Sequence, residues 1–117
     1  MLPKNQRLRL AQDLTATVRS GVRSGRRNVV LYARRRQTEE FAGDRFGFIV
    51  SKAVGIAVKR NLAKRRMREI AHELRRVDGD IDIVVRALPG AAELSWEELR
   101  SQINASFSAA LRKLEDR

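Results

Sequence analysis

The sequence predicts an α+β fold, a single-domain α-β-β-α-β-α sandwich in which helices pack a central sheet. Three observations carry that expectation. Three short runs alternate apolar with other residues at a period of two, as half-buried strands do. Three other stretches repeat apolar residues every three or four positions, as amphipathic helices do. At 117 residues, 43% of them hydrophobic, the chain suffices for one modest core, so residues 1–117 are read as one domain.

Residues 1–9 form a basic arm, with Pro3 set against early helix formation and Lys4, Arg7 and Arg9 available to phosphates. Leu8, Ala11, Leu14, Thr15 and Val18 then recur at helical spacing and predict a helix over residues 10–19, with Gly21 as its terminator. Arg19, Arg23, Arg26 and Arg27 lie among Ser20, Gly21, Ser24 and Gly25, which reads as a flexible, positively charged loop. Residues 28–34 are rich in β-branched side chains and predict a strand. Alternation sets Val30, Tyr32 and Arg34 on one face and Val29, Leu31 and Ala33 on the other.

After a polar loop, residues 45–51 predict a second strand, with Phe46, Phe48 and Val50 on one face and Gly47, Ile49 and Ser51 on the other. The small Gly47 and Ser51 would let another element or a nucleotide approach closely. These two strands are expected to pair antiparallel. A long helix follows to about Val77, where Asp78-Gly79-Asp80 makes a turn. In a third strand over residues 81–87, Ile81, Ile83, Val85 and Ala87 alternate with Asp82, Val84 and Arg86, and Leu88-Pro89-Gly90 ends it. The last helix has the best start signal in the chain: Ser95 and Glu98 can form a capping box, and Leu94 with Leu99 a hydrophobic staple. Trp96 sits in its first turn, and Leu99, Ile103, Phe107, Ala110, Leu111 and Leu114 make its buried stripe, which marks it as scaffold.

Charge narrows the class of partner. The formal net charge is +11, and it is unevenly spread: the first 76 residues hold 20 Lys or Arg against 6 Asp or Glu, the last 41 hold 5 against 8. Basic residues distributed over helix, loops and strands suit a large polyanion with several contact surfaces, and nucleic acid is the leading one. A membrane-binding protein would instead concentrate basic and bulky apolar residues on one exposed helix. No apolar run approaches the length of a membrane span, and the N-terminus lacks a hydrophobic signal region, so the expected compartment is the cytoplasm. With no cysteine and a single histidine, His72, there is neither a disulfide nor a thiolate or zinc site to build. No nucleophile stands paired with a base, and Asp78, Asp80 and Asp82 lead into an apolar strand rather than a calcium loop.

The stretch from Ser51 to Glu69 organises the rest. It opens extended, turns at Gly55 and becomes the long helix, dense in basic residues from Lys59 to Arg68. At about 100° per residue, Val58, Leu62, Ala63, Met67, Ile70, Leu74 and Val77 gather on one broad face. Lys59 falls within that face and Arg66 at its edge. Arg60, Lys64 and Arg68 follow one another at i,i+4 on the other side, with Asn61 and Arg65 beside them and His72 and Arg75 a turn further on. Like charges at this spacing repel by a few tenths of a kcal/mol per pair. A solvated face would interleave signs; this one is built for phosphates to relieve it.

Lys52, Gly55, Ala57-Val58, Arg60-Asn61, Lys64-Arg65 and Arg68-Glu69 resemble the signature of the protein subunit of bacterial ribonuclease P, which typically reads Ser-Lys-Lys-x-Gly-x-Ala-Val-x-Arg-Asn-Arg-x-Lys-Arg. Ala53 stands where a second Lys is usual, and Leu62 replaces the last Arg of the Arg-Asn-Arg triplet, so no role is carried onto Leu62. The family's amino-terminal pattern is matched by Arg7-Leu8, Asp13 and Gly21, and its first strand by Val30-Leu31-Tyr32. The resemblance implies a left-handed β-α-β crossover, against the common right hand. It implies a ribonucleoprotein endonuclease that removes 5′ leaders from precursor tRNA, the RNA subunit cutting with Mg²⁺ held largely by RNA and substrate phosphates. On that likeness Lys52, Lys59, Arg60, Asn61, Lys64, Arg65 and Arg68 bind the RNA subunit, and Leu14, Val18, Tyr32, Arg34 and Ser51 serve the leader. Leu14 and Val18 occupy helix positions that are commonly aromatic in the family, which leaves Tyr32 as the matching stacking face. No obligate protein partner is implied.

Three rivals remain at this point: a structural or ribosomal RNA-binding protein without a catalytic role, a stand-alone metal-dependent nuclease, and a DNA-binding protein. Competition between structured RNA and duplex DNA at matched salt separates the last. Structured RNA should displace the duplex, and equal displacement by both polymers would contradict an RNA-specific surface.

Overall fold

A computed structural model describes residues 11–36 and 43–117. The basic arm and the polar residues 37–42 lie outside that range, and with them Lys4, Arg7, Leu8 and Arg9. Helix α1 spans Ala11–Ser20, followed by strands β1 (Val22–Gly25), β2 (Val29–Arg35) and β3 (Arg45–Val50), helix α2 (Ala57–Leu74), strand β4 (Ile81–Ala87) and helix α3 (Trp96–Glu115). The four strands form one sheet in the order β1-β2-β4-β3. Strand β4 runs antiparallel to β2 and parallel to β3, to which α2 connects it.

Two expectations fail here. The charged segment after α1 is not a loop: Val22 and Ser24 point inward, Arg23 outward, and β1 closes a hairpin on β2 through Arg26 N–H donating to Val29 O at 2.8 Å. Four residues with Ser and Gly among them carry little strand propensity, and pairing supplies what composition withholds. Nor do β2 and β3 pair with each other; β4 inserts between them. The register explains why. Arg34 and Arg45 both stand opposite Asp82. Direct pairing of the two arginine-bearing strands would lack that carboxylate between them.

One face of the sheet is apolar. Val29, Leu31, Ala33, Phe46, Ile81, Ile83, Val85 and Ala87 are buried there, with Ala63, Met67, Ile70 and Ala71 of α2 and Leu99, Ile103, Phe107, Ala110 and Leu114 of α3. Phe46 and Phe107 meet in a tilted ring contact at 6.0 Å. Helix α3 keeps its expected stripe and its capping box, Ser95 Oγ accepting from Glu98 N–H and Glu98 Oε1 from Ser95 N–H, each at 3.1 Å. Those bonds hold the Glu98 carboxyl below its ordinary range, the Ser95 backbone N–H contributing most.

The opposite face carries α1. Beneath it Asp82 is buried and accepts two hydrogen bonds from Arg45, both at 3.0 Å, and a third from Arg36 Nε at 3.3 Å. Arg45 in turn lies 4.0 Å from Asp13 of α1. Thr17, one turn on, is fully buried, and Gly21 leaves the helix so close to β2 that any Cβ would run into the carbonyls of Thr17 and Ala33. Gly21 is thus a packing requirement as well as a stop signal.

A second buried carboxylate, Asp44, gathers the start of β3, the end of α2 and the start of β4. It accepts from Arg76 Nε at 2.8 Å, Arg76 Nη2 at 3.1 Å and Ile81 N–H at 3.2 Å, while its carbonyl accepts from Arg75 Nε at 2.8 Å. The hydrogen bond to Asp44 raises the Arg76 pKa above its ordinary value. Arg75 therefore turns inward and does not extend the basic surface, and α2 ends at Leu74 rather than near Val77.

Asp82→Asn should leave Arg45 and Arg36 short of a buried counter-charge and cost on the order of 3 kcal/mol. Urea unfolding checks it: the midpoint should fall with an unchanged slope, and a loss well under 1 kcal/mol would contradict the role given to Asp82.

Candidate nucleic-acid interface

Helix α2 buries Ala63, Met67, Ile70 and Ala71. Going round the helix from that stripe, Arg60, Lys64 and Arg68 come next, half-buried, then Asn61, Arg65 and His72, all exposed. They span an arc of about 140° with no acidic residue in it. The expected apolar face is displaced from the real one at its beginning. Val58 is 74% exposed, Val77, beyond the helix, 69%, and Leu62 is only half-buried, while Ala71 is an unexpected member of the stripe. Residues 56–59 are all exposed, so the first turn contributes no core side chain and periodicity alone misplaces it.

Two of the cations leave this surface. Lys59 pairs with Glu93 at 3.6 Å, and Arg66 Nη1 donates to Leu94 O at 2.8 Å, so both face the turn that precedes α3. On the same flank Glu73 pairs with Arg100 at 2.9 Å. The arc keeps Arg60, Asn61, Lys64, Arg65 and Arg68. Arg60 Nε donates to Gly55 O at 3.2 Å, which props the guanidinium against the turn leading into the helix. Arg68 Nε is buried and has no hydrogen-bond partner among the described residues. A buried donor left unmade costs about 1–3 kcal/mol, a cost an incoming phosphate oxygen removes. Lys52 is exposed in the short 3-10 turn Lys52–Val54 between β3 and α2, next to exposed Ser51.

The α1 side of the sheet carries a second surface. The register lines up Arg23, Tyr32, Val84 and Gly47 in one row across the four strands, and Gly25, Val30, Arg86 and Ile49 in the next. Tyr32 and Ile49 are half-buried, Arg23 and Arg86 exposed, and Val30 and Val84 covered. Since α1 is anchored over the Arg34–Asp82–Arg45 row, these two rows form a floor beside it. Leu14 and Val18 each follow an inward residue, Asp13 or Thr17, by about 100° of helix and are half-buried rather than core. Ile49 and Arg86 were not singled out by the sequence. Their faces are legible from alternation, but their nearness to Tyr32 depends on β4 lying between β2 and β3.

Arg34 shares the Tyr32 face but lines a pocket of about 360 Å³ with Ser20, Arg35, Leu114 and Arg117 at the carboxyl end of α1. The three aspartates of the 78–82 turn do not converge: Asp82 is held by Arg45, and Asp80 lies 3.5 Å from Arg35. Among the described residues no group of three or more His, Cys, Asp or Glu side chains could hold a metal ion. No helix among them is long and apolar enough to cross a membrane.

Known proteins match this chain over nearly its whole length. The model of the family described as Ribonuclease P matches residues 2–111. A ribonuclease P protein component of Pseudarthrobacter chlorophenolicus is 51% identical over 118 residues, covering 100% of this chain and 85% of the relative. That of Kocuria rhizophila is 46% identical over 114 residues, covering 97% and 98%. Among solved structures, the RNase P protein of Staphylococcus aureus superposes with a TM-score of 0.76 at 26% identity, covering 90% of this chain and 94% of that one.

Proposed function

Because the chain belongs to the ribonuclease P protein family, as the protein subunit of that endoribonuclease and a partner of ribonuclease P RNA, we propose a division of labour between its two surfaces. The α2 arc grips the RNA subunit, and the floor beside α1 receives the 5′ leader of precursor tRNA. The observation that carries the first half is the arc itself: five polar or cationic side chains, no carboxylate among them, and a buried Arg68 Nε awaiting an acceptor. Arg60, Arg65 and Arg68 offer planar, forked donors to phosphate oxygens, Lys64 and Lys52 offer point charges, and Asn61 can bond a phosphate, a 2′-hydroxyl or a base edge. Lys59, held to Glu93, is better assigned to orienting α2 than to RNA.

In the second half, Tyr32 supplies a stacking face and Ile49, Leu14 and Val18 an apolar wall, while Arg86 and Arg23 attract the backbone. Ser51 stands where the floor meets Lys52 and α2. In this reading the reaction belongs to the RNA subunit, which the protein orients on its substrate. Mg²⁺ would be held by RNA and substrate phosphates. A cysteine-free chain of this kind is suited to the reducing cytoplasm.

Two sets of variants test the halves separately. Arg60, Lys64 and Arg68 changed together to Ala should weaken RNA-subunit binding and lower the slope of log affinity against log salt by about 2–3, at roughly 0.7–0.9 for each phosphate that is no longer neutralised. An unchanged slope in a folded variant removes α2 as the RNA-binding surface. Tyr32→Ala should cost on the order of 1–3 kcal/mol in binding precursor tRNA to the assembled complex and leave mature tRNA nearly untouched. Arg86→Ala should do likewise and also lower the salt slope by roughly 1. Equal losses for precursor and mature tRNA would remove the floor as the leader site.

A further inference from the structure

A third concentration of positive charge lies where α1 ends, away from α2. Arg34 and Arg35 at the end of β2, Arg117 beyond α3 and Ser20 at the last position of α1 surround the pocket of about 360 Å³. Arginines from two separate parts of the chain thus line one pocket, although Arg34 and Arg35, as successive strand residues, leave the sheet on opposite faces. Part of this has a structural explanation. Arg117 Nη1 donates to Ser20 O at 2.9 Å and so covers a carbonyl at the negative end of the α1 dipole. Arg35 lies 3.5 Å from Asp80 in a pair that is more than half exposed.

Arg34 is not explained that way. Its side chain is half-buried, and among the described residues its buried Nε has no hydrogen-bond partner and its guanidinium makes no ion pair. The carboxylate across the sheet from it, Asp82, is already committed to Arg45 and Arg36. The Ser20 hydroxyl donates to Ala16 O at 2.7 Å, so it gives the pocket no proton donor, and the donors left are guanidinium N–H groups. A pocket lined by arginines, with one buried guanidinium donor unmade, suits the oxygens of a phosphate group.

We propose that this pocket is a phosphate site that takes one phosphodiester of bound RNA, with Arg34 as its principal donor and Arg117 as its second. It adds a contact that neither the α2 arc nor the Tyr32 floor contains, and it rests on the RNA-binding reading only for the identity of the polymer. The phosphodiester has two sources, the leader that passes Tyr32 two residues away on β2, or the RNA subunit itself.

The experiment uses the full chain with ¹⁵N-labelled arginine, first titrated with inorganic phosphate alone. The Arg34 Nε–H resonance should move saturably, ahead of the exposed arginines. Arg34→Gln is then assembled with ribonuclease P RNA and read in two arms, affinity for the RNA subunit against salt and affinity of the complex for precursor tRNA against leader length. A salt slope lower by about 1 in the first arm assigns the phosphate to the RNA subunit. A loss seen only with long leaders assigns it to the leader. No saturable shift in the titration overturns the site, and so do unchanged values in both arms. Should Arg34→Gln not fold, the native chain's titration decides. A slope lowered by the α2 triple variant but not by Arg34→Gln, with leader affinity also unchanged, sinks this inference alone, whereas a slope moved by neither also sinks the α2 reading.

Discussion

The Asp82 carboxylate, buried under α1 and shared by Arg45 and Arg36, is the constraint on which the arrangement depends. It stands between two strands that each bring an arginine to the same row, and so makes β4 the strand that separates them. Through Arg45 and Asp13 it also fixes where α1 lies on the sheet. A buried ion pair of this kind gains little over an apolar pair of the same volume, but either partner alone would be a stranded charge. Its consequence is geometric: with α1 held over one row, the next two rows lie beside it, with Arg23 and Arg86 exposed and Tyr32 and Ile49 half-buried.

The two proposed RNA-facing surfaces meet at one short junction. Strand β3 contributes Gly47 and Ile49 to the floor, Ser51 and Lys52 follow at once, and after the turn at Gly55 α2 begins its basic arc. The far end of that unit is tied down by Asp44, which binds Arg76 and the first residue of β4 while Gly79 leaves it room. A β-α-β unit closed by buried carboxylates at one end can therefore hold the proposed leader floor and the proposed RNA-subunit surface in fixed relation. That suits the proposed role of positioning two RNAs.

Much of this was legible in the sequence because the signals were local. The Ser95–Glu98 capping box, the α3 stripe and the alternation of β2, β3 and β4 needed only neighbours in the chain, and the spacing from Lys52 to Glu69 carried both the basic arc and the family. What escaped was non-local. Strand β1 consists of residues with weak propensity and exists because β2 is beside it. The β2–β4 pairing could not be read from two strands that looked like a hairpin, and with it went the proximity of Arg86 to Tyr32. The start of α2 was mis-phased since Val58 projects past any partner. Lys59 and Arg66, which periodicity set within and at the edge of the apolar face, find their partners in Glu93 and the Leu94 carbonyl, which the sequence did not reveal.

The central claim is that this chain acts only together with RNA, by holding the RNA subunit and the leader at once. The most direct measurement is single-turnover removal of the 5′ leader at low Mg²⁺, using ribonuclease P RNA from the same source with and without the protein. The account predicts stimulation that needs both components and grows with the presence of a leader long enough to reach Tyr32. Cleavage by the protein and Mg²⁺ without RNA, or no stimulation by folded protein, would contradict it.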